Sequence, residues 1–117
     1  MEPNQHIAFR AESFVVDELA SRDWQILARN YRRVGTELDI IALKGLTMIV
    51  VEVKYRTDHR SCEWNELISQ RKKKALQRGA LAFITEFPLA WDTVRFDLAI
   101  VSGYPEAWQI RYFVGWL

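Results

Sequence analysis

The segment from Glu37 to Arg56 constrains this chain more than any other. Two runs rich in Ile, Val and Leu, about Glu37 to Leu43 and Thr47 to Arg56, flank Lys44-Gly45-Leu46-Thr47 and read as strands joined by a tight turn. Strand side chains alternate between faces, and turn length fixes which residues meet across the pair. A four-residue turn from Lys44 to Thr47 sets Leu43 against Met48, Ile41 against Val50 and Asp39 against Glu52. Leu38, Ile40, Ala42, Ile49, Val51 and Val53 then form a wholly apolar face. The opposite face is apolar near the turn and polar at its far end, where Glu37, Asp39, Glu52 and Lys54 gather. With something to bury on both sides, this hairpin belongs in the middle of a sheet. A three-residue turn would reverse the parity and part Asp39 from Glu52.

The flanking segments supply helices and further strands. Ile7, Ala8, Ala11, Val15 and Leu19 recur at helical spacing between about Asn4 and Ser21, and a first strand is expected over Gln25 to Arg32. A second helix is expected from about Trp64 to Thr85, with Ile68, Ala75, Leu76, Gly79, Ala80 and Phe83 inward. Strands near Thr93 to Val101 and Trp108 to Val114 follow. The predicted order is αβββαββ, an α/β fold with helices packed on a mixed sheet. At 117 residues, with five Trp, six Phe and four Tyr, the chain suits one domain over 1–117 with a sizeable core. Trp24 and Trp91 are expected to anchor strands. Trp108, Tyr112 and Trp116 are expected to offer an apolar edge for self-association as a homodimer.

Charge excludes little. Sixteen Lys+Arg balance fifteen Asp+Glu, so affinity for a polyanion must come from local clustering. A single cysteine, Cys62, allows no intrachain disulfide or Cys-type zinc site, and His6 and His59 lack partners at zinc-ligand spacing. Met1 to Arg10 lacks a signal-peptide core, and no run approaches the roughly 18 apolar residues of a spanning helix. A cytoplasmic protein with no membrane partner is expected.

The polar end of the hairpin carries the chemistry. Two carboxylates facing each other repel unless a cation lies between them or one is protonated. A hard divalent ion, Mg²⁺ or Mn²⁺, resolves that conflict with a few carboxylates plus water and phosphate oxygens. The ammonium of Lys54 beside it suits the negative charge that develops during in-line attack of an activated water on a phosphodiester. Alone, Glu52-Val53-Lys54 far more often describes a strand facing water, since the pattern is short and common. Glu12, however, falls on the apolar stripe of the first helix, where a carboxylate needs either a place at the metal or a cation such as Arg95. Lys72 lies on the inner stripe of the second helix and either reaches the sheet's polar end or snorkels past the core. Arg71, Lys72, Lys73, Lys74 and Arg78 form a basic cluster suited to nucleic-acid phosphates or to a solvated helix face. Arg56, His59 and Arg60 are placed to touch phosphates at the rim. Arg95 and Asp97 share a strand face and pair with each other or with Glu12.

Taken together, Ala11-Glu12, Asn30-Tyr31-Arg32, Glu37 to Ala42, Val51 to Arg56, Lys72 with Ala80, and Arg95-Phe96-Asp97 make the chain resemble the YraN family of small bacterial proteins. That family is itself similar to archaeal Holliday-junction resolvases and the PD-(D/E)xK superfamily. The resemblance implies a restriction-endonuclease-like fold in which Asp39, Glu52 and the Val53 carbonyl bind metal. It also implies that Lys54 is catalytic and Glu12 an accessory acid. Two positions depart from the pattern: Ala8 and Thr36 stand where glycine is usual. The implied activity is metal-dependent hydrolysis of DNA, with branched DNA as one substrate class. The competing reading is a non-catalytic nucleic-acid- or partner-binding module on the same fold; a purely structural protein with a polar strand is the third.

Overall fold

The computed structural model describes residues 3–33, 35–56, 68–88 and 91–117. The first helix, α1 (Pro3–Ser21), buries Ala11, Val15 and Leu19 at four-residue spacing. It ends where Asp23 turns left-handed (φ 72°). The Asp23 N–H then donates to the Ala20 carbonyl at 3.1 Å and the Trp24 N–H to that of Leu19 at 3.1 Å, satisfying two of the helix's terminal acceptors. Strands β1 (Gln25–Arg33), β2 (Thr36–Lys44) and β3 (Thr47–Arg56) follow. Then come α2 (Gln70–Glu86), β4 (Thr93–Ser102), a single 3₁₀ turn (Pro105–Ala107) and β5 (Gln109–Phe113).

The strands lie in the order β1-β2-β3-β4-β5, with β3 and β4 parallel and the other pairs antiparallel. The parallel pair requires a crossover, and α2 lies on that connection. On one face α1 packs Ala11, Val15 and Leu19 over Ile40, Ala42, Ile49, Val51, Ala99 and Val101. On the other, α2 packs Leu76, Ala80 and Phe83 over Leu38, Ile41, Met48 and Val50. Both faces of the central strands are therefore buried, which is why β3 and β4 read as nearly unbroken apolar runs.

The hairpin register is the expected one, with Leu43 paired to Met48, Ile41 to Val50 and Lys44 to Thr47. Gly45 has φ 60° and Leu46 does not share its left-handed conformation, the pattern of a type II′ turn. One detail of face assignment differs: Leu38 does not share the side of Ile40 and Ala42 but joins the α2 cluster. The physical reason lies in β1. Asn30 sits between the pairs Arg29–Ile40 and Tyr31–Leu38 with φ 52°, a left-handed residue that rotates the strand pair and exchanges its faces.

The second helix starts later than the periodicity suggests. Ile68 is not helical; it is buried against Leu98 and Ile100, and Ser69 caps the helix by accepting the Lys72 N–H at 3.1 Å. Trp64 to Leu67 lie outside the described residues. Gly79 marks the closest approach of α2 to the sheet, since a Cβ there would stand 2.8 Å from Thr36 Cγ2 and 3.0 Å from Leu38 Cδ2. Of the C-terminal aromatics, Trp108 and Trp116 are half-buried and Tyr112 stays exposed. Trp108 packs on Phe14 and Tyr55, Trp116 packs on the α2-side core, and the Tyr112 hydroxyl is bonded to Asp97. No helix among the described residues is long and apolar enough to cross a membrane. The αβββαββ order on a mixed sheet covered by a helix on each face is the restriction-endonuclease-like arrangement.

Candidate active site

The β2–β3 ladder stops at Ile40–Val51, although both strands continue. Beyond that point, Thr36 to Asp39 belong to β2 paired with β1, and Glu52 to Arg56 belong to β3 paired with β4. The sheet forks there, and Asp39 and Glu52 stand at the fork. Asp39 Oδ2 accepts the Val53 N–H at 2.9 Å, so a side chain takes the place of the lost ladder bond.

The carboxyl groups of Asp39 and Glu52 lie beside each other at the fork, close enough to interact directly. Burial, then the hydrogen bond to Glu52 and its charge, push the Asp39 carboxyl up to about 8; the Val53 N–H and Lys72 oppose the shift. Glu52 is only 3% exposed, yet its Oε2 faces two ammonium groups, Lys72 Nζ at 3.5 Å and Lys54 Nζ at 3.7 Å. Lys72 therefore reaches the polar end of the sheet from α2, the first of the two placements its position allows.

Glu12 approaches from α1. Burial, followed by the charges of Asp39 and Glu37, raises its carboxyl to about 7, and Arg29 and Asn30 moderate the shift. With its amide oriented to suit its neighbours, Asn30 donates to Glu12 Oε1 at 3.1 Å and to Glu37 Oε1 at 3.0 Å. The left-handed residue that twists β1 thus also links the two outer carboxylates. Arg95 is not the partner of Glu12. Its Nε and Nη2 each bond Asp97 at 2.9 Å, and Asp97, fully buried, also accepts from the Tyr112 hydroxyl at 2.6 Å and the Gly115 N–H at 2.9 Å. That cluster is structural.

Among the described residues no three His, Cys, Asp or Glu side chains converge closely enough to hold a metal ion by themselves. The donor set is nevertheless of the right chemistry for a hard divalent cation. Adjacent carboxyls of which Asp39 keeps its proton offer a cation that proton's place, and main-chain and water oxygens complete such sites. Asp39 and Glu52 are the side chains that would hold it, with the Val53 carbonyl following on the same strand.

The basic residues divide. Arg71 and Lys72 line a groove of about 760 Å³ between α2 and the β1–β2 turn, together with Arg32, Arg33 and Arg78. Lys73 instead lies over the Trp116 ring, 5.8 Å from its centroid. Arg56 is exposed at the end of β3 with its guanidinium on the Tyr55 carbonyl at 2.9 Å. Arg60, His59 and Cys62 lie outside the described residues. Asn30 and Arg32 had no assigned role in the sequence reading. The helical spacing of Arg71, Ala75 and Arg78 was a signal for Arg78; nothing in sequence joins Arg32 to α2.

These positions lie within the stretch covered by comparison with known proteins. Residues 11–101 match the model of the uncharacterised protein family UPF0102. A UPF0102 protein of Chlorobaculum parvum is 33% identical over 114 residues, spanning 97% of this chain and 88% of that protein. One from Dictyoglomus turgidum is 35% identical over 103 residues, 88% and 87% of the two chains. One from Mycolicibacterium vanbaalenii is 33% identical over 114 residues, 94% of each. With the match reaching from Glu12 past Lys72 and over most of each relative, the chain belongs to the UPF0102, or YraN, family.

Proposed function

We propose that this protein is a divalent-metal-dependent nuclease that hydrolyses DNA phosphodiester bonds. The observation that carries the reading is the pair of adjacent carboxyls at the fork of the sheet, the buried Glu52 and the half-buried Asp39. Burying two carboxyls side by side costs stability, and a hydrophobic pair would pack the same space more favourably. Their placement is better explained by a cation than by folding.

A Mg²⁺ or Mn²⁺ ion bound there would supply Lewis-acid stabilisation of the phosphoryl group. The chain's own residues do the rest. Lys54 and Lys72, already within 4 Å of Glu52 Oε2 at 3.7 and 3.5 Å, place two ammonium groups where negative charge develops on the phosphate. Glu12, held by Asn30 and raised to about 7, lies near enough to feel Asp39 and is poised to accept or return a proton close to neutral pH.

The second reading, a non-catalytic nucleic-acid-binding module, has an observation of its own: both ammonium groups are already engaged by Glu52, so the site is internally neutralised. Cleavage of labelled linear, single-stranded and four-way-junction DNA with Mg²⁺ or Mn²⁺ decides between them. The expected result is metal-dependent cutting that falls by about 10² or more in Glu52→Ala and Lys54→Ala. Binding without cutting in any lane would assign the module instead.

A further inference from the structure

The groove between α2 and the β1–β2 turn has a composition unlike the rest of the molecule. The chain's net charge is +1, yet five cationic side chains, Arg32, Arg33, Arg71, Lys72 and Arg78, line this one groove beside a single carboxylate, Glu37. Some of that charge is spent internally. Arg32 Nε stands 3.5 Å from Glu37 Oε1, and Arg33 holds Glu86 at 3.0 Å. Arg71 and Arg78 have no ion pair among the described residues. Seven residues apart on one helix face, with Ala75 between them, they are separated by about 10 Å along the axis, or about three base-pair steps of a duplex backbone. The small residues Gly35, Thr36 and Ala75 also line it, which leaves room for a phosphate between the cations.

Among the described residues no aromatic side chain lines the groove. A channel for unpaired bases would need stacking platforms, whereas contacts from guanidinium groups alone serve a phosphate backbone. The groove also adjoins the carboxyl pair, because Lys72 lies in its wall and on Glu52 at once.

We propose that this groove binds the sugar-phosphate backbone of a nucleic-acid duplex without reading its sequence, with Arg71 and Arg78 as its principal contacts. The inference rests on the nuclease reading and gives the substrate a track leading away from the reacting bond along α2, on the side of the β1–β2 turn.

The test is binding in EDTA, followed by fluorescence anisotropy across a range of salt concentrations. Labelled DNA and RNA duplexes of two unrelated sequences and a single strand are compared for wild type, Arg71→Ala/Arg78→Ala and, as a charge-matched control at exposed arginines away from the groove, Arg22→Ala/Arg111→Ala. The Arg71→Ala/Arg78→Ala variant replaces exposed helix positions with a good helix former, and its thermal midpoint is checked first. The expected result is salt-dependent duplex binding whose log–log slope falls by about 2 in Arg71→Ala/Arg78→Ala, equally for both sequences, and is kept in Arg22→Ala/Arg111→Ala. An unchanged slope in Arg71→Ala/Arg78→Ala would overturn the groove and leave the nuclease reading to its own cleavage assay. Preference for the single strand, or a loss confined to one sequence, would overturn the duplex assignment. Failure of wild type to bind any duplex overturns it too, and cleavage in the separate assay then shows whether the nuclease reading survives alone.

Discussion

Asp39 holds its proton more tightly in the folded chain than an unfolded carboxyl does, and this gives stability a definite dependence on pH. Between the ordinary value of 3.8 and about 8, the native state keeps a proton that the unfolded state has released. The native state therefore binds more protons over that range, and stability falls as pH rises through it. Glu12, raised to about 7, acts in the same direction. The metal-free protein is expected to lose thermal stability steadily from about pH 4 to about pH 8. Mg²⁺ should restore more at the alkaline end, and Asp39→Asn should flatten the profile. Thermal melts across that range check all three, and a midpoint that climbs with pH in metal-free buffer would contradict the protonated Asp39. At this scale the sequence was most legible where parity governs: a four-residue turn was enough to bring Asp39, Glu52 and Lys54 together. Asn30 left no such trace. A lone Asn in a strand pattern shows no periodicity, so neither its left-handed conformation nor the turn of the strand there is marked.

Among the elements, helix α2 depends on a close approach that only glycine permits. Gly79→Val would drive side-chain atoms into Thr36 and Leu38, whose nearest atoms lie 2.8 and 3.0 Å from the first added carbon. A loss of about 1–3 kcal/mol is expected in urea unfolding. Thr36→Ser, which removes the nearer methyl group, should recover part of it. Full additivity of the two substitutions would show that this contact is not the cause. Element types and order followed from apolar periodicity, and boundaries did so less well. Periodicity puts the start of α2 at Trp64 because Ile68 fits the helical stripe, yet Ile68 serves as a separate plug under Leu98 and Ile100. A repeating pattern identifies an inward residue without saying which backbone conformation carries it there. Leu38 shows the same ambiguity, since strict alternation has no term for a strand that rotates midway.

At the scale of the whole molecule, the fold is closed by one buried acid. Asp97 on β4 collects the Arg95 guanidinium, the Tyr112 hydroxyl from β5 and the Gly115 N–H from the C-terminal segment. Asp97→Ala strands all three donors and is expected to cost about 3–5 kcal/mol, measured by denaturant unfolding. A cost below about 1 kcal/mol would mean that the C-terminal segment is held by packing alone. Sequence revealed the Arg95–Asp97 pairing, because residues two apart on a strand share a face; the donors from Tyr112 and Gly115 came only with the chain's return. The fork has a consequence at this scale as well. A sheet of five strands ordinarily has two borders, each a row of open hydrogen-bonding groups that invites another chain to dock. By parting β2 from β3, this sheet acquires a third border inside itself. Asp39 plugs it at Val53, and it is bounded by the protein's own strands. Unfulfilled backbone polarity is thus placed beside the carboxyls without widening the outer rim by which such sheets aggregate.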